Sequence, residues 1–232
     1  MCIRDRSFTV TAEDGVTTAV YTVTVNTAAL PEPITPGVDN KKPASKPEVK
    51  LPFTDVSTSD WFYDDVAFVY ENGLFSGTDS RSFSPNASMT RAMLVTVLYR
   101  LEGEPTVTGR SSFTDVRSGA YYEKSVIWAA ANGIVTGTDS TSFSPDAKVT
   151  REQLAAILYR YAQYRKLDTD ASAKLNSFTD ADSVSAYASE ALGWAVSEGL
   201  INGASGKLMP KGDATRAQVA AILHRLVKNV LN

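Results

Sequence analysis

The sequence has one cysteine, Cys2, and one histidine, His224, among its 232 residues. A lone cysteine excludes an internal disulfide, and at the second position it offers no shaped pocket for a catalytic thiol. A single histidine excludes the Cys/His spacings of zinc sites, and neither a phosphate loop nor a nucleophile elbow is present. Long apolar runs are missing as well. Nothing approaches the ~18 consecutive residues of a membrane span, and the opening residues lack the apolar core of a signal peptide. An exported protein carrying this sequence is therefore expected to extend further at its start. Excess charge of one sign is also absent: 23 Lys and Arg stand against 26 Asp and Glu, a net charge of -3. That balance excludes the strongly basic face of a nucleic-acid binder. No catalytic residues, metal site or cofactor are expected.

What is present falls into three textures. Met1–Arg6 fits nothing downstream and reads as a non-native leader. Residues 7–27 contain two alternating runs, Ser7–Ala12 and Ala19–Val25, around the turn Glu13-Asp14-Gly15, the pattern of a β-hairpin. A lone hairpin is marginal in water, so these residues are expected to end a truncated sheet domain. They resemble the last strands of a cadherin-like β-sandwich. Residues 28–50 carry Pro31, Pro33, Pro36, Pro43 and Pro47 among polar residues, a composition that stays extended and serves as a spacer.

The remainder, 51 to 232, is repetitive. Phe53-Thr54-Asp55 returns as Phe113-Thr114-Asp115 and Phe178-Thr179-Asp180. Phe83-Ser84-Pro85 returns as Phe143-Ser144-Pro145 and then as Leu208-Met209-Pro210. Thr90-Arg91 returns as Thr150-Arg151 and Thr215-Arg216. The copies are expected at 51–105, 111–166 and 176–230. In each, apolar residues at helical spacing predict a first helix, over Trp61–Asn72, Tyr121–Asn132 and Ser185–Glu198. Gly73, Gly133 and Gly199 stand where a helix-stopping glycine belongs. A loop follows, and a second helix begins at each Thr-Arg pair. The fold class is thus mainly α, three tandem helix–loop–helix units. His224 occupies the helical place of Tyr99 and Tyr159 and reads as a structural substitution. Asp79-Ser80 and Asp139-Ser140 are too sparse for a calcium cage.

The threonines are placed as N-caps. Gln153 and Gln218 complete capping boxes, whereas Met93 leaves the first box incomplete. The arginines are more informative. Arg91, Arg151 and Arg216 fall at the first helical position, where a cation opposes the positive end of the helix dipole at roughly 0.3–1 kcal/mol. Three such residues ask for an anionic partner. An internal carboxylate, such as Asp55, Asp115 or Asp180, meets that need. So does a bound anion held by free helix-start amides and an arginine fork. The residues alone leave both open. Lys148, Lys207 and Lys211 lie close before the second and third pairs and would favour a bound anion there. Trp61, at a helix start, is a candidate sugar-stacking surface, while Trp128 and Trp194 are better placed for packing.

Phe-Thr-Asp-Val, the Gly-Leu or Gly-Ile break, Phe-Ser-Pro and Thr-Arg-Ala/Glu together resemble S-layer-homology domains over about 180 residues in three copies. The resemblance implies a pseudo-threefold helical bundle with grooves between repeats. It further implies non-covalent anchoring of an exported bacterial protein to the cell wall. The partner implied is an acidic, pyruvylated secondary cell-wall polysaccharide linked to peptidoglycan, and the module is expected to be monomeric. The family's arginine maps onto Arg91, Arg151 and Arg216, although its acid at the fourth motif place is absent from all three copies. With the resemblance, the expected glycan contacts are those arginines, Lys148, Lys211, Thr150, Thr215 and Trp61. The rival reading is a protein–protein or S-layer self-assembly module that binds no glycan.

Overall fold

The computed structural model describes the backbone of residues 4–11 and 18–25 and all of residues 50–231. Two compact units divide between residues 48 and 49. In the first, β1 (Arg4–Thr11) pairs antiparallel with β2 (Thr18–Val25), placing Phe8 opposite Tyr21. The strand takes in Arg4, Asp5 and Arg6. Two paired strands are common to every antiparallel sheet and give no support to a cadherin-like sandwich. The proline-rich spacer lies outside the described residues.

The second unit is helical. Six α-helices form three pairs, one pair per repeat: α1 (Tyr63–Glu71) and α2 (Arg91–Leu101), α3 (Glu123–Ala131) and α4 (Arg151–Tyr164), α5 (Ser189–Ser197) and α6 (Arg216–Leu226). The first helices start later than their periodicity suggests. Trp61 and Tyr121 lie in the turn ahead of α1 and α3, and in the third repeat a 3-10 turn, Ala186–Ala188, precedes α5. Each first helix stops as expected. Gly73, Gly133 and Gly199 have φ of 67°, 69° and 66°, a region open to glycine at no steric cost.

The second helix of each repeat packs on the first helix of the next: α2 on α3, α4 on α5, and α6 back on α1. The repeats therefore close into a ring. At its centre three backbone hydrogen bonds run in a circle, Val149 N to Met89 O (2.9 Å), Ala214 N to Val149 O (2.8 Å) and Met89 N to Ala214 O (2.9 Å). All three residues are fully buried. The same threefold logic governs the helix contacts. Tyr99 meets Trp128 and Tyr159 meets Trp194, while at the closing joint His224 stacks on Phe68 at 4.2 Å and contacts Asp65 Oδ1 at 2.7 Å. His224 is thus a packing residue in an aromatic pair.

The Phe-Thr-Asp motif has a structural task. Asp55 accepts from the amides of Phe83 (2.8 Å) and Ser84 (2.7 Å), Asp115 from Phe143 and Ser144, and Asp180 from Leu208 and Met209. Each carboxylate thereby pins the far end of its own repeat's loop. In the first two repeats a glycine makes that closure possible. A β-carbon at Gly77 or Gly137 would sit 2.3 Å from a loop carbonyl, far inside van der Waals contact.

Candidate functional site: the inter-repeat clefts

Each second helix begins at a joint between repeats, and its first amides are already used. In α2, Arg91 N and Ala92 N donate to Ala147 O and Pro145 O. In α4, Arg151 N and Glu152 N donate to Gly212 O and Pro210 O. In α6, Arg216 N and Ala217 N donate to Ala87 O and Pro85 O. The third amide of each helix donates to the cap hydroxyl of Thr90, Thr150 or Thr215, at 3.2–3.3 Å. Capping boxes form at Thr150 with Gln153 and at Thr215 with Gln218, and none at Thr90. The expectation of free helix-start amides for a bound anion is therefore corrected. Neighbouring carbonyls take them, because that exchange is what joins one repeat to the next.

The arginine side chains cross the same joints. Arg91 Nε donates to Phe143 O (2.8 Å) and its Nη2 to Thr136 O (2.8 Å), with the guanidinium 4.7 Å from the Phe143 ring centre. Arg216 Nε donates to Phe83 O (2.7 Å) and its Nη2 to Ser76 O (2.7 Å), above the rings of Phe83 and Phe75. Arg151 differs. It makes one side-chain hydrogen bond, from Nε to Leu208 O at 2.6 Å. Leu208 and Ile201 stand where the other repeats present phenylalanine or valine, so no aromatic ring lies under it. All three residues are buried. Among the described residues none forms an ion pair within 4.0 Å, because Asp55, Asp115 and Asp180 are committed to backbone amides. Burial lowers the pKa of each arginine, and the nearby Asp115, Asp180 and Asp55 respectively oppose that shift. A guanidinium nevertheless stays protonated. The internal ion-pair alternative is thereby corrected: these are cations solvated by neutral carbonyls.

A cleft of about 210 Å³ opens beside Arg151. Trp61 of the first repeat stands over it, and its lining includes Gln218, Ile222 and Arg225 of α6 and Gly203 and Met209 of the third repeat's loop. All three repeats thus contribute to one cleft. By repeat equivalence, the matching places at the second joint are held by Tyr187, Arg160 and Arg91, near enough to influence one another electrostatically. At the third joint Tyr121 lies near Thr90 and Arg100. Trp61, Tyr121 and Tyr187 are 66%, 65% and 55% exposed, an exposed aromatic at the equivalent place of every repeat. Trp128 and Trp194 are buried in the helix contacts, as their spacing implies.

The lysines are placed otherwise. Lys148 pairs with Asp213 at 3.1 Å, and Lys211 pairs with Glu152 at 2.7 Å, the latter at the Tyr187 cleft. Both sit with acids of the chain itself. Sequence reasoning missed Glu152 and Tyr187. Glu152 is buried and also accepts from Ser185 N (3.1 Å), Ser185 Oγ (3.0 Å) and Tyr187 Oη (3.1 Å). Burial raises its pKa, but the Lys211, Ser185 and Tyr187 hydrogen bonds prevail and hold it below the ordinary 4.5. Tyr187 is pushed up to about 12, chiefly by burial and then by the Glu152 charge. A depressed folded-state carboxylate stabilises above its unfolded pKa, and that contribution is lost as pH falls through the folded value. Thermal melts of the chain and of Glu152→Ala are therefore expected to differ above pH 4.5 and to converge below it. Alanine is tolerated by precedent, since Ala92 and Ala217 hold the equivalent places.

No helix among the described residues is long and apolar enough to cross a membrane, and no His/Cys/Asp/Glu group there could hold a metal. The chain resembles proteins of several kinds. It is 32% identical to an endoglucanase of Bacillus sp. (strain KSM-635) over 78% of this chain and 19% of that protein. It is 31% identical to the surface-layer 125 kDa protein of Lysinibacillus sphaericus over 56% of this chain and 11% of that one. It is 27% identical to the cellulosome-anchoring protein of Acetivibrio thermocellus over 47% and 26%. The chain thus spans about a quarter or less of each of these relatives. The S-layer homology domain family matches residues 52–92, 112–155 and 177–220. With the ring of three repeats, that match makes this chain a member of the S-layer homology domain family.

Proposed function

We propose that the three-repeat unit is a non-catalytic anchor. It holds an exported protein to the bacterial cell wall by binding an acidic, pyruvylated secondary polysaccharide linked to peptidoglycan. The observation that carries this reading is Arg151. Among the described residues its charge is unpaired by any acid and it has a single carbonyl partner, and it lines a cleft beside Arg225 and an exposed Trp61. A carboxylate entering there meets two cations, and a sugar face meets an aromatic one. The relatives fit this use. A surface-layer protein, a cellulosome-anchoring protein and a glycan-degrading enzyme share this region while differing in name and length. A common anchor beside unlike partners explains that distribution. Arg91, Arg216, Thr150 and Thr215 support the clefts through joints and caps, and the ring acts as a monomer outside the cell.

The test is co-sedimentation of the 232-residue chain with sacculi whose wall polysaccharide carries pyruvate. The chain is expected in the pellet with native sacculi. At least a ten-fold weaker association is expected after mild acid has stripped the polymer. Equal binding to both preparations would assign the unit to peptidoglycan or to protein self-assembly instead.

A further inference from the structure

The third repeat's loop departs from the other two at one dipeptide. Arg91 and Arg216 each send Nη2 to the carbonyl of the residue before a loop glycine, Thr136 before Gly137 and Ser76 before Gly77. The equivalent pair in the third repeat is Asn202-Gly203, and Arg151 makes no such bond. The backbone turns differently there. Gly203 has a φ of 68°, in the left-handed region, whereas Gly77 and Gly137 lie outside it. The loop is one residue shorter and closes as a tight turn, with Ala204 N to Lys207 O at 2.8 Å and Lys207 N to Ala204 O at 2.9 Å. Only glycine fits at 203, because a β-carbon there would lie 2.6 Å from Lys207 O. Asn202 and Gly203 both line the cleft beside Arg151.

An asparagine before glycine is open to attack on its side-chain amide by the following backbone nitrogen, since glycine has no β-carbon to shield that nitrogen. The sequence holds three such pairs, Asn72-Gly73, Asn132-Gly133 and Asn202-Gly203. In the first two, both reacting groups are held. Asn72 Nδ2 donates to Phe68 O and Gly73 N to Tyr70 O, and Asn132 Nδ2 donates to Trp128 O and Gly133 N to Ala130 O. Asn202 is exposed, and among the described residues neither its side-chain amide nor Gly203 N has a hydrogen-bond partner. From this contrast we infer that Asn202 is a site of spontaneous deamidation, and that its product charges the Trp61 cleft against an anionic ligand. Gly203 N loses its proton and bonds to Asn202 Cγ. The Cγ–Nδ2 bond breaks and ammonia leaves, closing a succinimide. Water opens the ring at either carbonyl and leaves aspartate or isoaspartate. One amide has become one carboxylate, in the cleft that Arg151 and Arg225 line. That carboxylate competes with a wall-polymer carboxylate for the same guanidinium groups, so this half of the inference rests on the glycan-binding reading above. The reaction needs no enzyme and runs one way. The charge of the cleft therefore records the age of the molecule, and older anchors hold less firmly.

The test is ageing of the 232-residue chain in warm, mildly alkaline buffer, with peptide mapping by mass spectrometry at intervals. Conversion replaces an amide NH2 by OH, and fragmentation assigns the mass change to its residue. Asn72 and Asn132 must each break two hydrogen bonds, each worth about five-fold in rate, so Asn202 is expected to convert roughly 30-fold faster than either. The aged chain and a fresh Asn202→Asp chain are expected to bind native sacculi about five-fold more weakly than the fresh parent, the contribution of one exposed charge pair. Asn202→Ser, which carries the residue of the first repeat, should bind equally before and after ageing, with circular dichroism unchanged. Conversion at Asn202 no faster than at Asn72 and Asn132 overturns the site. An Asn202→Asp chain that pellets as well as the parent overturns the effect on the cleft. A fresh parent chain that does not pellet overturns anchoring and that effect together, while conversion at Asn202 upholds the site alone.

Discussion

Arg216→Ala is expected to lower the melting temperature of the ring by about 10 °C. Arg216 closes the last repeat onto the first, through two carbonyl hydrogen bonds to Phe83 and Ser76 and contacts with two aromatic rings. Hydrogen bonds to a charged group contribute ~1.5–3 kcal/mol each, and a partly desolvated cation–π contact adds ~1 kcal/mol. Alanine forfeits these and leaves two carbonyls short of a partner. Taking the lower end of these, a loss of ~4 kcal/mol at roughly 2–4 °C per kcal/mol in a unit of this size gives a shift of about 8–16 °C. Differential scanning calorimetry reads the result. A shift under about 3 °C would show that the α6–α1 packing closes the ring without Arg216.

Arg151→Ala is expected to divide the other way. It loses one carbonyl contact and no ring contact, so its stability cost is about 1.5–2 kcal/mol. Its effect on wall binding is larger. A guanidinium lining the cleft offers a fork to a carboxylate, and a charge-assisted pair of this kind is worth ~2–3 kcal/mol, or about 50-fold in affinity. Co-sedimentation at increasing sacculus concentration measures it, with circular dichroism recorded on the same sample. Arg151→Lys keeps the charge without the fork and is expected to recover part of the loss. If Arg151→Ala unfolds the chain, or binds sacculi as well as the parent, Arg151 is a joint like Arg91 and Arg216. Two members of one sequence motif are thus expected to fail in different assays.

That divergence was not legible in the motif. Local features were. The Thr caps, the boxes at Gln153 and Gln218, the missing box at Met93 and the glycine stops follow from interactions within four or five residues. The apolar periodicity placed the helix pairs. The arginine targets lie 45 to 140 residues away, and the first helical turn carries no trace of them. Sequence reasoning offered two anions as partners, and the structure supplied neutral carbonyls. An Arg at a helix start signals a need for acceptors without saying which kind. The carboxylates of Asp55, Asp115 and Asp180 were plausible mates by type but were already claimed by loop amides. Tyr187 escaped notice because its surroundings, Ala186 and Ala188, share little with Trp61-Phe62. Glu152 occurs once and so had no repeat to reveal it.

The Trp61 cleft takes its arginine floor, its helix and loop wall and its aromatic lip from three different repeats, and Tyr187, Arg160 and Arg91 likewise come from all three. The unit of inheritance and the unit of function are therefore different sizes. A gene that lost one copy would not keep two clefts of three. Every remaining cleft would lack a wall. Selection on such a protein sees triplets, whatever duplication supplies.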